Sequence, residues 1–214
     1  LCSRCYAMNV ARILYPVEVL GPGKRIGIWL AGCPHHCEEC SNPELWEQRS
    51  EYELPVSSVM ELLERNFRDK PVDGFVITGG DPMAQAGELA DLLVQLEPWS
   101  EDILVYTGFT YEELLSQHNP AIMTCLAHVG VLIDGRYEQD LNDGARLRGS
   151  SNQRIIYFKE QLKPAYEAYM AAGPNQIQNF TTTDGVVSVG IHRANFQSEI
   201  AQSAKEKGVI VDGE

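Results

Sequence analysis

Arg25-Ile-Gly-Ile-Trp-Leu-Ala31 runs directly into Gly32-Cys33-Pro-His-His-Cys37-Glu-Glu-Cys40, and this junction decides the fold. An unbroken apolar run closed by a turn reads as a buried strand, here one that delivers a cysteine loop at its C-terminal end. The spacing CxxxCxxC brings three thiolates to one small metal centre. A cubane iron–sulfur cluster has four irons and normally takes four cysteine ligands, so a loop with three leaves one iron open for chemistry. Pro34, Gly32 and the upstream Gly21-Pro22-Gly23 predict a tight loop whose backbone amides point at sulfur, which favours an anionic cluster. Three other readings stand beside this one: a zinc site completed by His35 or His36, a helical i, i+4, i+7 row of buried thiols, and coincidence. Zinc is the strongest of these, but structural zinc sites usually pair two-residue knuckles with a distant second half, and none follows downstream.

Outward from this junction the chain alternates between apolar runs and amphipathic stretches. Val59, Leu62, Leu63 and Phe67 fall on one helical face behind a capping box of Ser58 and Glu61. Gly74-Phe-Val-Ile-Thr78 reads as the next buried strand. Gly79-Gly-Asp-Pro82 follows it, then a helix with Leu89, Leu92, Leu93 and Leu96 at i, i+3, i+4, i+7. Asp102-Ile-Leu-Val-Tyr-Thr107, a helix around Tyr111 to Leu115, and Val129-Gly-Val-Leu-Ile-Asp134 continue the pattern. Parallel strands joined by crossover helices, an α/β fold, are the expected product. The cysteine loop, Gly79 to Pro82, Thr107-Gly108 and Asp134-Gly-Arg136 all follow strands, where functional loops collect if the sheet curls into a full or partial barrel. Beyond a further strand at Arg154 to Phe158 the texture changes. Gln176 to Thr183 and Val186 to Ile191 read as a hairpin turning on Asp184-Gly185, followed by a helix near Ala194 to Lys207 and a short strand, Val209-Ile-Val211.

With 214 residues, 44% of them hydrophobic, the chain can bury one substantial core, so one domain with appendages is expected. Its 17 Lys and Arg against 30 Asp and Glu give a formal charge of −13, which opposes binding to nucleic-acid phosphates and to anionic membranes. No apolar run reaches the length of a membrane span, and Leu1 to Ala7 has no signal-peptide apolar region, so a cytoplasmic location is expected. Six cysteines in such a chain point to metal or redox chemistry more than to disulfides. Cys125, among apolar residues, reads as a buried small hydrophobe. Cys2 and Cys5 precede Met8, which could itself start the protein; residues 1–7 are read as a non-native or misread tail without a role.

The Gly79-Gly80-Asp81-Pro82 loop adds a second chemical element. Its two glycines let backbone touch a ligand, and Asp81 offers a carboxylate to an ammonium group. Such a loop suits the methionine end of S-adenosyl-L-methionine (SAM). Read alone, the motif is weak and is more simply a plain turn in which Pro82 opens a helix.

Together, Gly21-Pro-Gly-Lys-Arg25, Trp29, Gly32-Cys33, Cys37, Cys40 and Asn42 resemble the signature of radical-SAM activating enzymes, which install glycyl radicals. Tyr15-Pro16, Thr78-Gly-Gly-Asp-Pro82, Tyr106-Thr-Gly108, Val131-Leu-Ile-Asp-Gly-Arg136 and Leu147-Arg-Gly-Ser-Ser-Asn-Gln153 are similar to the branch of that family that activates anaerobic ribonucleoside-triphosphate reductases. The resemblance runs from about Met8 to Phe158. It implies a partial (β/α) barrel of the radical SAM type over residues 8–158, with residues 159–214 as a small α+β extension (helix, hairpin, helix) packed on that core.

The same resemblance makes Cys33, Cys37 and Cys40 ligands of a [4Fe-4S] cluster. It assigns Glu39, Cys40, Ser41 and Gly80 to SAM, beside Gly79 and Asp81. In the family the open iron chelates the amino and carboxylate groups of the methionine moiety. An electron from the reduced cluster breaks a sulfonium–carbon bond, and the resulting 5′-deoxyadenosyl radical takes hydrogen from a glycine of the partner. The implied partners are a glycyl-radical enzyme, foremost an anaerobic ribonucleotide reductase, and a reduced flavodoxin-like or ferredoxin-like electron donor. Asp134 and Arg136 are assigned either to the SAM carboxylate or ribose, or to an exposed structural ion pair. Cofactors carry this chemistry and no acid–base residue is required. His35 and His36 therefore read as solvated loop residues, with tuning of the cluster by hydrogen bonding as the alternative. Arg148 to Gln153 is dense in donors and reads otherwise as a capped turn. A different glycyl-radical enzyme or a peptide, chosen by the C-terminal hairpin, is the second functional reading. A non-enzymatic zinc or electron-transfer module on the three cysteines and His36 is the third.

Overall fold

The computed structural model describes residues 7–182 and 185–193, with isolated positions 196, 198, 199, 202 and 206 beyond them. Cys2, Cys5, Asp184 and the strand expected at 209–211 lie outside the described residues, as does most of the helix expected over 194–207.

Seven strands, β1 (Ala7–Val17), β2 (Arg25–Leu30), β3 (Glu53–Pro55), β4 (Gly74–Gly79), β5 (Ile103–Tyr106), β6 (Val131–Asp134) and β7 (Arg154–Tyr157), form one sheet in the order β3-β1-β2-β4-β5-β6-β7. The central run β2-β4-β5-β6 is parallel, in the alternating α/β manner expected. Its crossovers carry α1 (Val56–Phe67), α2 (Ala86–Leu96), and the pair α3 (Tyr111–Ser116) and α4 (Pro120–His128).

Side-chain alternation along these strands divides the interior in two. Ile26, Ile28, Leu30, Phe75, Ile77, Ile103, Val105 and Leu132 pack with the buried leucines of α2 and with α1 and α4. Trp29, Val76, Leu104, Val131 and Ile133 point to the other face, where Leu147, Tyr166 of α5 (Lys163–Ala171) and Val189 cover them. Every residue of β2 is therefore buried, which is why it reads as a continuous apolar run.

Two features lie beyond the expectations and two expectations are corrected. The long strand β1 was not anticipated, because register shifts between Val10 and Arg12 and between Leu14 and Val17 break the two-residue period that marks a strand. β7 pairs antiparallel to β6, because residues 135–153 return the chain through loop and one 3-10 turn, with no crossover helix. Helix α1 begins at Val56 after Pro55 and has no side-chain cap, so Ser58 and Glu61 lie inside it; a capping box exists instead at Thr110 and Glu113. Gly21 and Gly23 lie before β2, at the end opposite the cysteines. There Gly21 and the Pro22 carbonyl wrap the buried Arg25, whose guanidinium reaches that carbonyl at 2.9 Å, Asp102 at 2.6 and 2.9 Å, the Phe75 carbonyl at 2.9 Å and the Tyr166 hydroxyl at 3.0 Å, while Gly23 stands against Asp73. The segment locks strand ends together rather than pointing amides at sulfur.

After α5 the chain forms a separate two-stranded antiparallel sheet of β8 (Gln178–Thr182) and β9 (Gly185–Val189), the hairpin expected there.

Candidate active site

The C-terminal ends of the parallel strands meet at one cavity. Cys33, Cys37, Cys40, Ser41, Gly79 and Gly80 line it together, with Trp29, Thr78, Tyr106, Thr107 and Gly108. The order of the strands produces this convergence. β2 and β4 are parallel neighbours paired up to Leu30 and Gly79, so the loops leaving them emerge side by side.

Backbone hydrogen bonds join the two loops: the Gly80 amide donates to the Leu30 carbonyl at 2.7 Å and the Asp81 amide to the Gly32 carbonyl at 2.9 Å. A Cβ on Gly79 would lie 2.3 Å from the Leu30 oxygen, and one on Gly80 would lie 2.5 Å from the Gly32 oxygen. Neither position has room for a side chain. The cysteine loop is also pinned behind itself, since the Gly32 and Cys33 amides donate to the carbonyls of Leu45 and Trp46 at 2.8 and 2.9 Å. Within the loop His36 and Glu39 take positive φ, 47° and 54°, which bends the chain tightly around the three cysteines.

Cys33, Cys37 and Cys40 are half-buried. Burial raises the Cys33 thiol, opposed by hydrogen bonds from the His35 and His36 amides. Burial also raises the Cys37 thiol, opposed by the Tyr137 amide and by the nearby charge of Arg136. With the Asn42 amide donating to Cys40 Sγ at 3.4 Å, backbone amides are aimed at all three sulfurs, which fits an anionic cluster held by thiolates. Among the described residues, no group of three His, Cys, Asp or Glu side chains gathers closely enough to hold a single metal ion.

The other expected site residues are placed differently. Asp81 is fully buried. Its carboxylate accepts from the Met83 amide (2.9 Å), the Thr107 hydroxyl (2.9 Å) and the Gly108 amide (2.8 Å), and meets His35 Nε2 at 2.8 Å. It braces the site from behind and does not line the cavity. His35 is not solvated: its ring is 3% exposed, packs edge-on against Phe109 and lines the cavity, with Nδ1 buried and without a hydrogen-bond partner among the described residues. His36 is exposed and stacks on Trp46. Glu39 is exposed and contributes no wall.

Asp134 is buried, accepts from the Tyr111 amide at 2.7 Å and pairs with Arg154, so its carboxylate closes a helix start rather than the cavity. Arg136 is exposed and does not line the cavity. The Arg148 to Gln153 segment supports the loop beside it. Gln153 accepts from the Gly149 amide and donates to the Gly135 carbonyl, both at 2.8 Å, while Asn152 donates to the Arg136 carbonyl at 2.8 Å. Sequence reasoning missed the His35–Asp81–Thr107 network, for which the Tyr106-Thr-Gly108 string was the available signal. It also missed Tyr137 and the stretch Ser188 to His192 as cavity lining, for which there was none.

The cavity, its three cysteines and the glycine loop beside them define a carrier of one iron–sulfur cluster. The chain matches the family model described as "4Fe-4S single cluster domain" over residues 19–156. It is also similar to the anaerobic ribonucleoside-triphosphate reductase-activating protein of Enterobacteria phage T4, 34% identical over 153 residues that make up 69% of this chain and 93% of the phage protein. The protein of the same description from Escherichia coli K12 is 33% identical over 155 residues, 68% of this chain and 96% of that one. A pyruvate formate-lyase-activating enzyme from Clostridium pasteurianum is 28% identical over 115 residues, 51% of this chain and 48% of that enzyme. The chain belongs to the family of anaerobic ribonucleoside-triphosphate reductase-activating proteins, radical SAM enzymes that use a [4Fe-4S] cluster and SAM.

Proposed function

We propose that this chain holds its [4Fe-4S] cluster on Cys33, Cys37 and Cys40, binds SAM at the iron these thiolates leave uncoordinated, and places a glycyl radical on an anaerobic ribonucleoside-triphosphate reductase. The observation that carries this reading is the convergence of three cysteines, and no fourth among the lining residues, with a side-chain-free glycine pair on one cavity. When bound, the cluster supplies the electron that cleaves the SAM sulfonium and so gives the hydrogen-abstracting power.

The chain's own residues bind, orient and exclude water. Gly79 and Gly80 let the methionine end approach backbone at the cluster's edge. Cys40 and Ser41 line the same cavity, and Glu39, exposed at φ 54°, serves by bending the loop that carries them. Asp81 acts from behind, joining His35 of the cysteine loop to the Thr107-Gly108 turn. Arg136 adds a positive charge near Cys37, while Asp134 holds the strand end from which that loop leaves.

Four parallel strands with every site loop at their C-terminal ends support a partial barrel of the radical SAM type over residues 8–158, with residues 159–214 as its extension. Among the described residues no helix is long and apolar enough to cross a membrane. The proposed reading includes a cytoplasmic location and a reduced flavodoxin-like or ferredoxin-like electron donor.

The test is anaerobic reconstitution with iron and sulfide, reduction, and incubation with SAM and the candidate reductase. Four-iron absorption, release of 5′-deoxyadenosine and a glycyl-radical doublet in the electron paramagnetic resonance spectrum of the reductase are expected. Substituting any one of the three cysteines by alanine should abolish all three signals. Deoxyadenosine release without a radical on the reductase would move the target to another glycyl-radical enzyme, and its absence in the reduced holoenzyme would overturn the activity.

A further inference from the structure

One wall of the cavity comes from outside the family's matched region. The family model ends at residue 156, yet Ser188, Val189, Gly190, Ile191 and His192, at the end of β9 and just after it, line the same cavity as the three cysteines. The segment is held there by the protein itself. Val189 is 3% exposed and belongs to the apolar group that contains Leu20, Trp29 and Leu147. Gln178, on the paired strand β8, donates to the Pro16 carbonyl at 2.7 Å and accepts from the Glu18 amide at 3.0 Å. Asn142 donates to the His192 carbonyl at 3.0 Å. Gly190 has φ 142°, and a Cβ there would stand 2.5 Å from the Gln176 carbonyl oxygen, so the close crossing of these segments requires glycine.

The chemistry of this wall differs from that of the cysteine side. Val189 and Ile191 are apolar, and no residue of the segment carries a carboxylate. Burial lowers the pKa of His192 below its ordinary value of 6.5, which leaves a neutral ring with one donor and one acceptor near pH 7. Both ring nitrogens are shielded from solvent and have no hydrogen-bond partner among the described residues. Buried polar atoms without partners are rare in folded proteins and call for an explanation, a missing ligand among them. In the function proposed above, the charged methionine half of SAM lies at the open iron and the glycine loop. The half left over is uncharged, flat and rich in paired donors and acceptors.

We infer that Ser188 to His192 forms an adenosine-binding wall of the SAM cavity, with His192 as a binding residue for the nucleoside half. The inference rests on the proposed function and adds to it a part of the chain beyond the matched region. It is tested on the reconstituted full-length holoenzyme by equilibrium binding of SAM and, separately, of methionine, which lacks the nucleoside. His192→Ala should weaken SAM binding about tenfold, equivalent to about 1.4 kcal/mol, and leave methionine binding and cluster absorption unchanged. His192→Gln, which keeps a donor and an acceptor, should recover most of the SAM affinity. If His192→Ala does not load a cluster, Ile191→Ser provides the same comparison. Unchanged SAM affinity in a cluster-loaded variant overturns the inference alone, as does equal weakening of SAM and methionine. Absence of SAM binding by the unaltered holoenzyme overturns both the inference and the function beneath it.

Discussion

Glycine at positions 79 and 80 is required by the protein's own backbone before any ligand is considered. A methyl group on Gly80 would meet the Gly32 carbonyl oxygen at 2.5 Å and that of Leu45 at 2.9 Å, both on segments that hold the cysteine loop. Gly80→Ala is therefore expected to cost about 1–3 kcal/mol of stability by overpacking and to lower the iron bound per chain after reconstitution. Gly87→Ala, where an added Cβ meets nothing within 4 Å inside α2, should instead stabilise by about 0.5–1 kcal/mol. Urea denaturation and iron analysis of the two variants separate the cases. The same residue scale shows why Asp81 was hard to read. Its type and place after two glycines were visible, but the direction of its carboxylate depends on Thr107 and Gly108, brought up by one loop, and on His35, brought up by another.

Among the elements, those buried on both faces or periodic along a helix were legible. β2, β4, β5 and β6 stood out as apolar runs, and α2 by leucines that are all fully buried. β1 was not legible because its bulges shift the period, and β3 because three residues are too few to show one. Helix ends depend on ion pairs as well as on caps. Glu97, just past α2, accepts from Lys159 at 2.5 Å and from His128, the last residue of α4, at 2.6 Å. These contacts, Lys159 first, lower the Glu97 pKa below its ordinary 4.5. A depressed carboxylate contributes stability that is fully present above the unfolded-state pKa and is lost as the pH falls through the folded one. Glu97→Gln should thus lower the melting temperature near pH 7, and its difference from the unaltered protein should shrink below about pH 4.5. Thermal melts of both proteins from pH 3 to 7 would show this, and a constant difference would refute it.

At the scale of the whole molecule, the cysteines sit on a loop outside both apolar cores, so the sheet does not depend on the metal for its folding. Chelation of iron is expected to leave the far-ultraviolet circular dichroism spectrum unchanged while lowering the melting temperature, because a ligand bound only by the folded state stabilises it by mass action. Loss of secondary structure on chelation would contradict this separation of core and site. By itself the sequence determined the parallel α/β run, the three-cysteine loop and the glycine loop, since apolar period and ligand spacing are local properties of the chain. Only the tertiary structure decided that Gly21 and Pro22 serve the buried Arg25, that Asp81 and Asp134 face groups of the protein itself, and that Ser188 to His192 line the cavity. Each of these depends on residues that lie far apart in sequence and meet only when the sheet has assembled.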